Sequence, residues 1–552
     1  MTLDTDKNYF IAKPSVVMRS KASGGDKINH VILGDWLRYL GEASGNKIKI
    51  RCRGDEGWVR ADDVTETRAL EVNFVDIGQG DGCHIVTPED DIILIDAGVG
   101  TNMERFLSWR YNLRRRNVER APDFDSDKPA KDPWTIDYVV VSHPDNDHYL
   151  GFRPVFENPK LQFDKVFHNG IVERPISDGD KDPTLKYPSG DDLGGYVDAS
   201  PDYVWDVAFT DDRLKTIVSD HPRTTKQLIS TYRACLRNSP NVVFSALGLT
   251  DKNIEDGAPV FMDKFDGTQG QSIAMQLLGP VSETVTHNGE TRQAFRKLGT
   301  EGVTKNGHSV ILKLAYGNLR VMLGGDLNTQ SQDFLLKLYA DAPSKTSSLE
   351  KKIDKLVAKG GSRSASEESA LSAAQAKIQT IVTKARQTFE CDVAKACHHG
   401  SSHVLDTFLS TINPVVTVIS SGDEESHSHP RPDALGAYGK HGRGRRPLIF
   451  STELARSTRE FTPIIKHLDK LRAFEADMDA ATDNTERNAI KARMEYAKDR
   501  NVVVYGMITM RALGDKVILA QKLEEPRNEG AKWDLYELEY NTHTQQLEYN
   551  PH

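Results

Sequence analysis

DYVVVSHPDNDHYLG, residues 137–151, is the stretch that decides how the rest of the chain is read. Asp137 to Val141 is a short, β-branched and largely apolar run of the kind that forms a buried strand. The polarity changes where that run ends. His143, Asp145, Asp147 and His148 fall within six positions, and Pro144 keeps the chain from passing directly into a helix. Two imidazoles and two carboxylates are thereby delivered to one loop at the carboxyl end of a strand. Such density is costly unless something neutralises it, because converging carboxylates repel and desolvated charge must be paired. A divalent metal ion is the simplest neutralising group. A solvated turn with capping aspartates is the plainer alternative, and the ligand density and the apolar strand feeding the loop weigh against it.

The order His-x-Asp-x-Asp-His after a hydrophobic strand resembles the metal motif of the metallo-β-lactamase superfamily, whose usual form is His-x-His-x-Asp-His. The aspartate at Asp145 is similar to the ComEC-like branch, named for the hydrolase domain attached to bacterial DNA-uptake channels. The same likeness is carried by FVDIGQGDG at 74–82, by Met275 to Leu278 followed by Gly279-Pro280, by His398-His399-Gly400-Ser401, and by His429-Pro430. The resemblance implies an α+β protein built as an αββα sandwich around one or two divalent ions. In that arrangement His143, Asp145 and His399 surround one ion, and Asp147, His148 and His429 the other. Asp326 lies between them, and Asp147, His398 and His399 act in catalysis. Asp96 is implied to support the metal loop without binding metal, as are Asn306 and Ser309.

The residues themselves bear on Asp326, which follows the apolar run Leu319 to Leu323 and two glycines and is well placed to approach an ion. A helix N-cap is the structural alternative, since Asn328 to Tyr339 has helical character. Most two-zinc members add a histidine between the loop and the bridging aspartate. Here the candidates are His168, His221, His287 and His308, and the resemblance gives His308 no metal role. An oxygen ligand at Asp145 hardens the site and shifts preference from zinc toward manganese or magnesium. Manganese or zinc is expected, magnesium is admitted, and a single-metal site is an open alternative.

Bulk properties narrow the class. With 552 residues, 38% of them hydrophobic, the chain can bury two or three cores and should hold more than one domain. No run approaches the length of a membrane span, and MTLDTDKNYF has neither a basic nor an apolar leader region. A cytoplasmic protein without a membrane partner is therefore expected, lacking the channel that ComEC proteins carry. The five cysteines, Cys52, Cys83, Cys235, Cys391 and Cys397, show no C-x-x-C spacing, which argues against a disulfide framework or a thiolate zinc site. A net charge of -9 excludes indiscriminate coating of nucleic acid but not a small basic groove.

Residues 1–66 show short strands punctuated by glycines, ending in Gly57-Trp58-Val59 and Asp63-Val64, and resemble a bacterial SH3-like domain, a small all-β barrel. Residues 67–526 are read as the hydrolase domain. Gly78 to Gly82 sits between strands and not before a helix, so it is a tight hairpin and not a phosphate loop. Met103 to Glu119 has helical character and interleaves arginines with Trp109 and Tyr111; a solvated face is favoured over a nucleic-acid-facing one. Insertions are expected at about 152–270, as a lid bordering the cleft, and at 343–389 and 456–500, as helical hairpins that mediate contacts. Residues 527–552 form a tail or an edge strand. Lys440, Arg443 and Arg445 follow His429 and could bind a substrate phosphate, with solubility an equal alternative.

Function at this stage follows the resemblance more than the residues. A metal-activated water is expected to hydrolyse phosphodiesters, in DNA or RNA first and in cyclic or small nucleotides second. A lactonase or thioesterase is a further alternative. So is a non-catalytic interaction or sensor protein, with a structural metal and partners bound through the SH3-like unit or the hairpins. The accessory modules would suit a nuclease of phage defence.

Overall fold

The computed structural model describes residues 3–551 except 221–225, 269, 423–427, 453–472, 475, 479, 482, 484, 491–492, 494–505 and 524–525. The apolar runs Ile92–Ala97 and Trp134–Val141 are neighbouring parallel strands, with Ile93 opposite Tyr138 and Ile95 opposite Val140. Strands covered on both faces need such near-continuous apolar sequence. Leu161–His168 and Val243–Ala246 extend the sheet in parallel on one side. On the other side Gly82–Val86, Leu70–Phe74, Ile508–Leu513, Lys516–Lys522, Trp533–Asn541 and Gln546–Tyr549 follow, antiparallel throughout. The expected tail thus supplies edge strands to a ten-stranded sheet.

A second sheet orders Phe261–Asp266, Ile273–Gly279, Ile311–Tyr316, Leu319–Leu323, Val393–Lys395, Val416–Ile419 and Leu448–Ser451, the last four parallel. The two sheets face each other across Val72, Phe74, Ile85, Ile93, Met275, Leu277, Leu312 and Val321. Alternation along a strand sends neighbouring residues to opposite faces, so Leu94, Val139 and Val166 meet Phe106, Phe152 and Tyr232 of the helices Asn102–Arg110, Phe152–Glu157 and Gln227–Asn238. On the far side of the second sheet lie Thr329–Ala340, Ala365–Phe389 and Asp406–Ile412, contributing Leu336, Phe389 and Phe408. The layers run helix, sheet, sheet, helix, consistent with the expected α+β sandwich. Among the described residues no helix is long and apolar enough to cross a membrane.

The amino-terminal unit departs from expectation. Its seven strands are antiparallel and run in the order Lys27–Ile32, Ser15–Arg19, Asp55–Arg60, Lys47–Cys52, Trp36–Ser44, Tyr9–Ile11 and Val64–Thr65. The outermost two are not paired with each other, so the barrel is not closed. Val64–Thr65 is too short to complete it. Beside the other edge, Ile32 and Leu33 pack on Ile518, Ala520 and Trp533 of the ten-stranded sheet. Buried charge fastens the same junction: Arg53 grips Asp35 with two bonds of 2.6 Å, and Glu71 accepts from Arg110 at 2.8 Å and lies 3.1 Å from Arg511.

Other expectations are revised in the same way. Residues 152–270 are not one excursion, because Leu161–His168 and Val243–Ala246 belong to the main sheet. What projects is a small sheet of Tyr196–Val197, Tyr203–Val204, Glu290–Arg296, Val281–His287 and Leu249–Thr250. The helix read over 103–119 ends at Arg110, followed by a left-handed Asn112 and a short turn at Leu113–Arg115. Two of the arginines beyond it hold backbone: Arg116 donates to Asp132 O, and Arg120 to the carbonyls of Pro159, Leu161 and Asn238. Residues 343–389 contain helices Thr346–Ala358 and Ala365–Phe389. Most of the hairpin read at 456–500 lies outside the described residues, as do His221 and His427.

Candidate metal centre

The site forms where parallel strands of both sheets end. Trp134–Val141 delivers Ser142 and His143, and a short helix, Asn146–Tyr149, carries Asp147 and His148. In Ile92–Ala97 the pairing slips between Ile95 and Ala97, with Asp96 at φ +57°. Such a bulge re-aims a side chain. Asp96 accepts from Ser142 N at 2.8 Å, from Ser142 Oγ at 2.6 Å and from His148 Nδ1 at 2.8 Å. From the second sheet, Leu319–Leu323 delivers Asp326. The helix after it is capped by Asn328, whose side chain accepts from Ser331 N, so Asp326 is not spent on capping. Val393–Lys395 runs into a left-handed turn, His398 at φ +49°, His399 at +52° and Gly400 at +79°. Non-glycine residues held there cost of order 1 kcal/mol each and cluster at functional sites; here the turn drives His399 inward.

Three imidazoles are presented alike. The Nδ1 atom of His148 is held by Asp96, that of His399 by Ser420 O at 3.2 Å and Asp81 at 3.1 Å, and that of His143 lies 3.0 Å from Ser142 Oγ and 3.3 Å from Ser309 Oγ. A ring fixed through one nitrogen presents the other as an acceptor, the usual arrangement of metal-ligating histidine. The Nε2 atoms of all three, and Asp326 Oδ1, are buried without a hydrogen-bond partner. An orphaned buried polar atom costs about 1–3 kcal/mol. His148 Nε2 lies 3.3 Å from Asp326, and His399 Nε2 lies 3.2 Å from Asp326 and 3.5 Å from Asp147. Bonds of about 2.1 Å to one tetrahedral ion place donors about 3.4 Å apart, so these residues fit a divalent cation.

Electrostatics point the same way. Burial opposes a charged imidazole at His148, but Asp326 and Asp96 override it and lift the pKa well above its ordinary value. At His399 burial is overridden by Asp326 and Asp81. Burial would raise the carboxyl of Asp326, yet His399 and His148 hold it well below the usual range. The buried carboxylates thus favour positive charge beside them.

Two lysines and one aspartate enter the site unannounced. Lys395, 5% exposed, pairs with Asp81, lies 3.7 Å from Asp326 and donates to Gly325 O at 3.1 Å. Lys305 Nζ lies 2.7 Å from Asp145 Oδ1. The sequence signal for Lys395 is a lone charge in an apolar strand just ahead of the histidine doublet. For Asp81 it is the surrounding glycines, which permit close approach: Asp81 N donates to Asp147 O at 3.2 Å. The hairpin reading of 78–82 missed this contact with the metal loop.

The expected residues separate into groups. His143, Asp147, His148, Asp326 and His399 converge. His398 stands at the mouth, its ring centroid 5.8 Å from that of His429, which is in turn 6.5 Å from His399. Asp145 is 3.7 Å from His143 Nε2 but is engaged by Lys305 and, with the Asn306 amide turned to donate, by Asn306 at 2.7 Å. Ser309 Oγ accepts from Asp326 N at 3.1 Å and donates to Asn306 O at 2.7 Å, tying that loop to both sheets. His308 is turned away and stacks on Phe295.

Of the residues expected to bind a substrate phosphate, two are engaged by protein groups. Arg443 donates to Asp392 at 2.5 Å and to the carbonyls of Cys391, Asn413 and Leu547, where the strands begin. Lys440 pairs with Asp406, and Arg445 is exposed. The helix Pro432–His441 connects the parallel strands Val416–Ile419 and Leu448–Ser451. A crossover helix returns the chain to the start of the next strand, so this basic run ends opposite the centre.

Replacing Asp96 with Asn should keep the fold and weaken ion affinity or turnover by roughly 10–100-fold, the usual effect of disturbing a ligand's orienting partner. Calorimetric ion titration measures it, and an unchanged affinity would remove Asp96 from the support of His148.

The profile of the Metallo-beta-lactamase superfamily matches residues 83–223. The matched region includes the metal loop and Asp96, while Asp326, Lys395 and His398–His399 lie beyond it. None of the curated proteins matches the chain. The matched domain and the convergent His/Asp groups support a metal-dependent hydrolase.

Proposed function

We propose that this chain is a metal-dependent phosphodiesterase that cleaves polynucleotides. The observation that carries the catalytic part is the convergence of three fixed imidazoles and Asp326, all with unpartnered inward atoms. A divalent cation bound there supplies Lewis acidity and a water whose pKa falls from 15.7 toward about 7. The chain's own residues hold and shield that chemistry. Asp96, Ser142 and Ser309 fix the rings, and Lys395 offsets the charge of Asp81. His398 contacts the substrate at the mouth: burial pushes its pKa down to about 4 against the pull of Asp326, so it is uncharged at neutral pH.

A basic groove supports the choice of a polynucleotide. A cavity of about 650 Å³ beside the helix Thr346–Ala358 is lined by Lys351, Lys352 and Lys355, together with Lys359 and its ion-pair partner Glu367. The same helix is tied to the helix Asp406–Ile412 through Glu350, which accepts from Thr407 N at 2.7 Å. Phosphate backbones are bound by such clustered lysines in a salt-dependent, sequence-independent way.

The test is turnover of purified protein on single-stranded, duplex and cyclic nucleotides and on a lactone, in manganese, magnesium and zinc. Cleavage of the lactone alone would overturn the proposal. Charge reversal at Lys351, Lys352 and Lys355 together is expected to raise KM for a long polynucleotide by roughly tenfold or more. Hydrolysis of a small phosphodiester should stay unchanged, and equal loss on both substrates would dissociate the groove from polynucleotide binding.

A further inference from the structure

Resting on the reading of this cluster as a divalent-cation centre, we propose that it holds one ion, caged by Asp147, His148, Asp326 and His399, and that the Lys305 ammonium stands in for a second.

Lone pairs limit how many ions these donors can hold. Among the described residues, four groups of side chains lie close enough to share an ion: His143, His148 and Asp326; Asp147, His148 and His399; Asp81, Asp96 and His148; and Asp81, Asp326 and His399. A neutral imidazole has one unprotonated nitrogen, so no ring serves two ions. His148 Nδ1 is committed to Asp96 at 2.8 Å, which closes the third group. In the fourth, Asp81 Oδ2 is paired with Lys395, and Oδ1 lies 3.1 Å from His399 Nδ1, the nitrogen that also meets Ser420 O. His148 Nε2 then belongs to either the first or the second group. The second closes a ring with Asp326 through four contacts: 3.3 Å and 3.9 Å from His148 Nε2 to Asp326 and Asp147, and 3.2 Å and 3.5 Å from His399 Nε2 to the same pair.

Within these four groups, what is left for a second ion is His143 Nε2 and a shared oxygen of Asp326. Asp145 would have to complete that set, and a donor already engages each of its oxygens. Lys305, 7% exposed, holds one oxygen at 2.7 Å, and Asn306 reaches the other at 2.7 Å. The ammonium is itself fixed by Glu173 at 3.3 Å and Glu301 at 3.7 Å. A divalent ion seated beside it would meet a like charge in a poorly screened interior. The fixed ammonium compensates the acidic loop where a two-ion site would use metal.

The experiment loads the full chain with excess manganese, removes unbound ion and counts the rest by elemental analysis and native mass spectrometry. Electron paramagnetic resonance separates isolated from spin-coupled ions, and thermal melting checks the fold. One isolated ion per chain is expected for the wild type and for Asp145→Ala, and none for Asp147→Ala. Lys305→Met frees Asp145 and should admit a second ion, while Lys305→Arg should keep the count at one. Two coupled ions in the wild type, loss of the ion on Asp145→Ala, or a count of one in folded Lys305→Met overturns the proposal. Where Lys305→Met does not fold, the wild-type spectrum and the Asp145→Ala count decide. A wild-type chain that binds no ion overturns the cation-centre reading itself.

Discussion

The double variant Asp147→Ala, His148→Ala is expected to lose turnover to background while keeping its fold. Loss of a single group that stabilises developing charge costs roughly 10²–10³-fold in rate. These two substitutions remove half of the proposed cage, so the fall should exceed that range. The scaffold does not depend on them. Asp96 keeps both bonds from Ser142, at 2.8 Å and 2.6 Å, and continues to anchor the loop. The amino-terminal sheet has its own core of Tyr9, Met18, Val31, Leu37 and Ile50. Steady-state rates in saturating manganese, with circular dichroism and melting as controls, measure the effect. Full activity in the double variant would mean that the reaction takes place elsewhere on the molecule.

Gly80→Ala should have the second-largest effect, although residue 80 binds nothing. Its φ of +102° disfavours any side chain. A Cβ there would lie 1.8 Å from Asp147 O, 2.7 Å from the carbonyl carbon of Asp147 and 2.9 Å from its Cβ. Two of those atoms are backbone, so no rotamer change relieves the contact. Either the 78–82 loop retreats, taking Asp81 from Lys395 and His399, or the metal loop is displaced. Overpacking of this kind costs about 1–3 kcal/mol, and ion affinity should fall by at least the roughly 10–100-fold seen when a ligand's support is disturbed. Melting temperature and ion titration read the two effects separately. Unchanged affinity would show that the loops can part without opening the cage.

Sequence legibility followed locality. Residues 137–151 announce a strand and a ligand-bearing loop because both are encoded within one short segment, and the structure brings His143, Asp147 and His148 to the centre. Asp326 and His399, distant in sequence, were legible because Asp326 follows a buried strand and two glycines, and because the doublet His398-His399 ahead of Gly400-Ser401 carries the resemblance. The amino-terminal strands were legible for the same reason, whereas closure into a barrel was not, because closure depends on what lies beside the edge. There Ile32 and Leu33 meet Ile518, Ala520 and Trp533, almost five hundred positions away.

By itself the sequence determined the strands, the acidic and imidazole-rich loop, and the resemblance to a family of metal-dependent hydrolases. Tertiary structure alone decided which charges face one another. It gave Asp145 to Lys305 and Asp81 to Lys395, sent Arg443 to the opposite end of the strands, and turned His308 out of the centre. The physical reason is that a strand's apolar pattern is set by its own two faces, whereas a buried charge is placed by whichever partner the rest of the fold brings within a few ångströms.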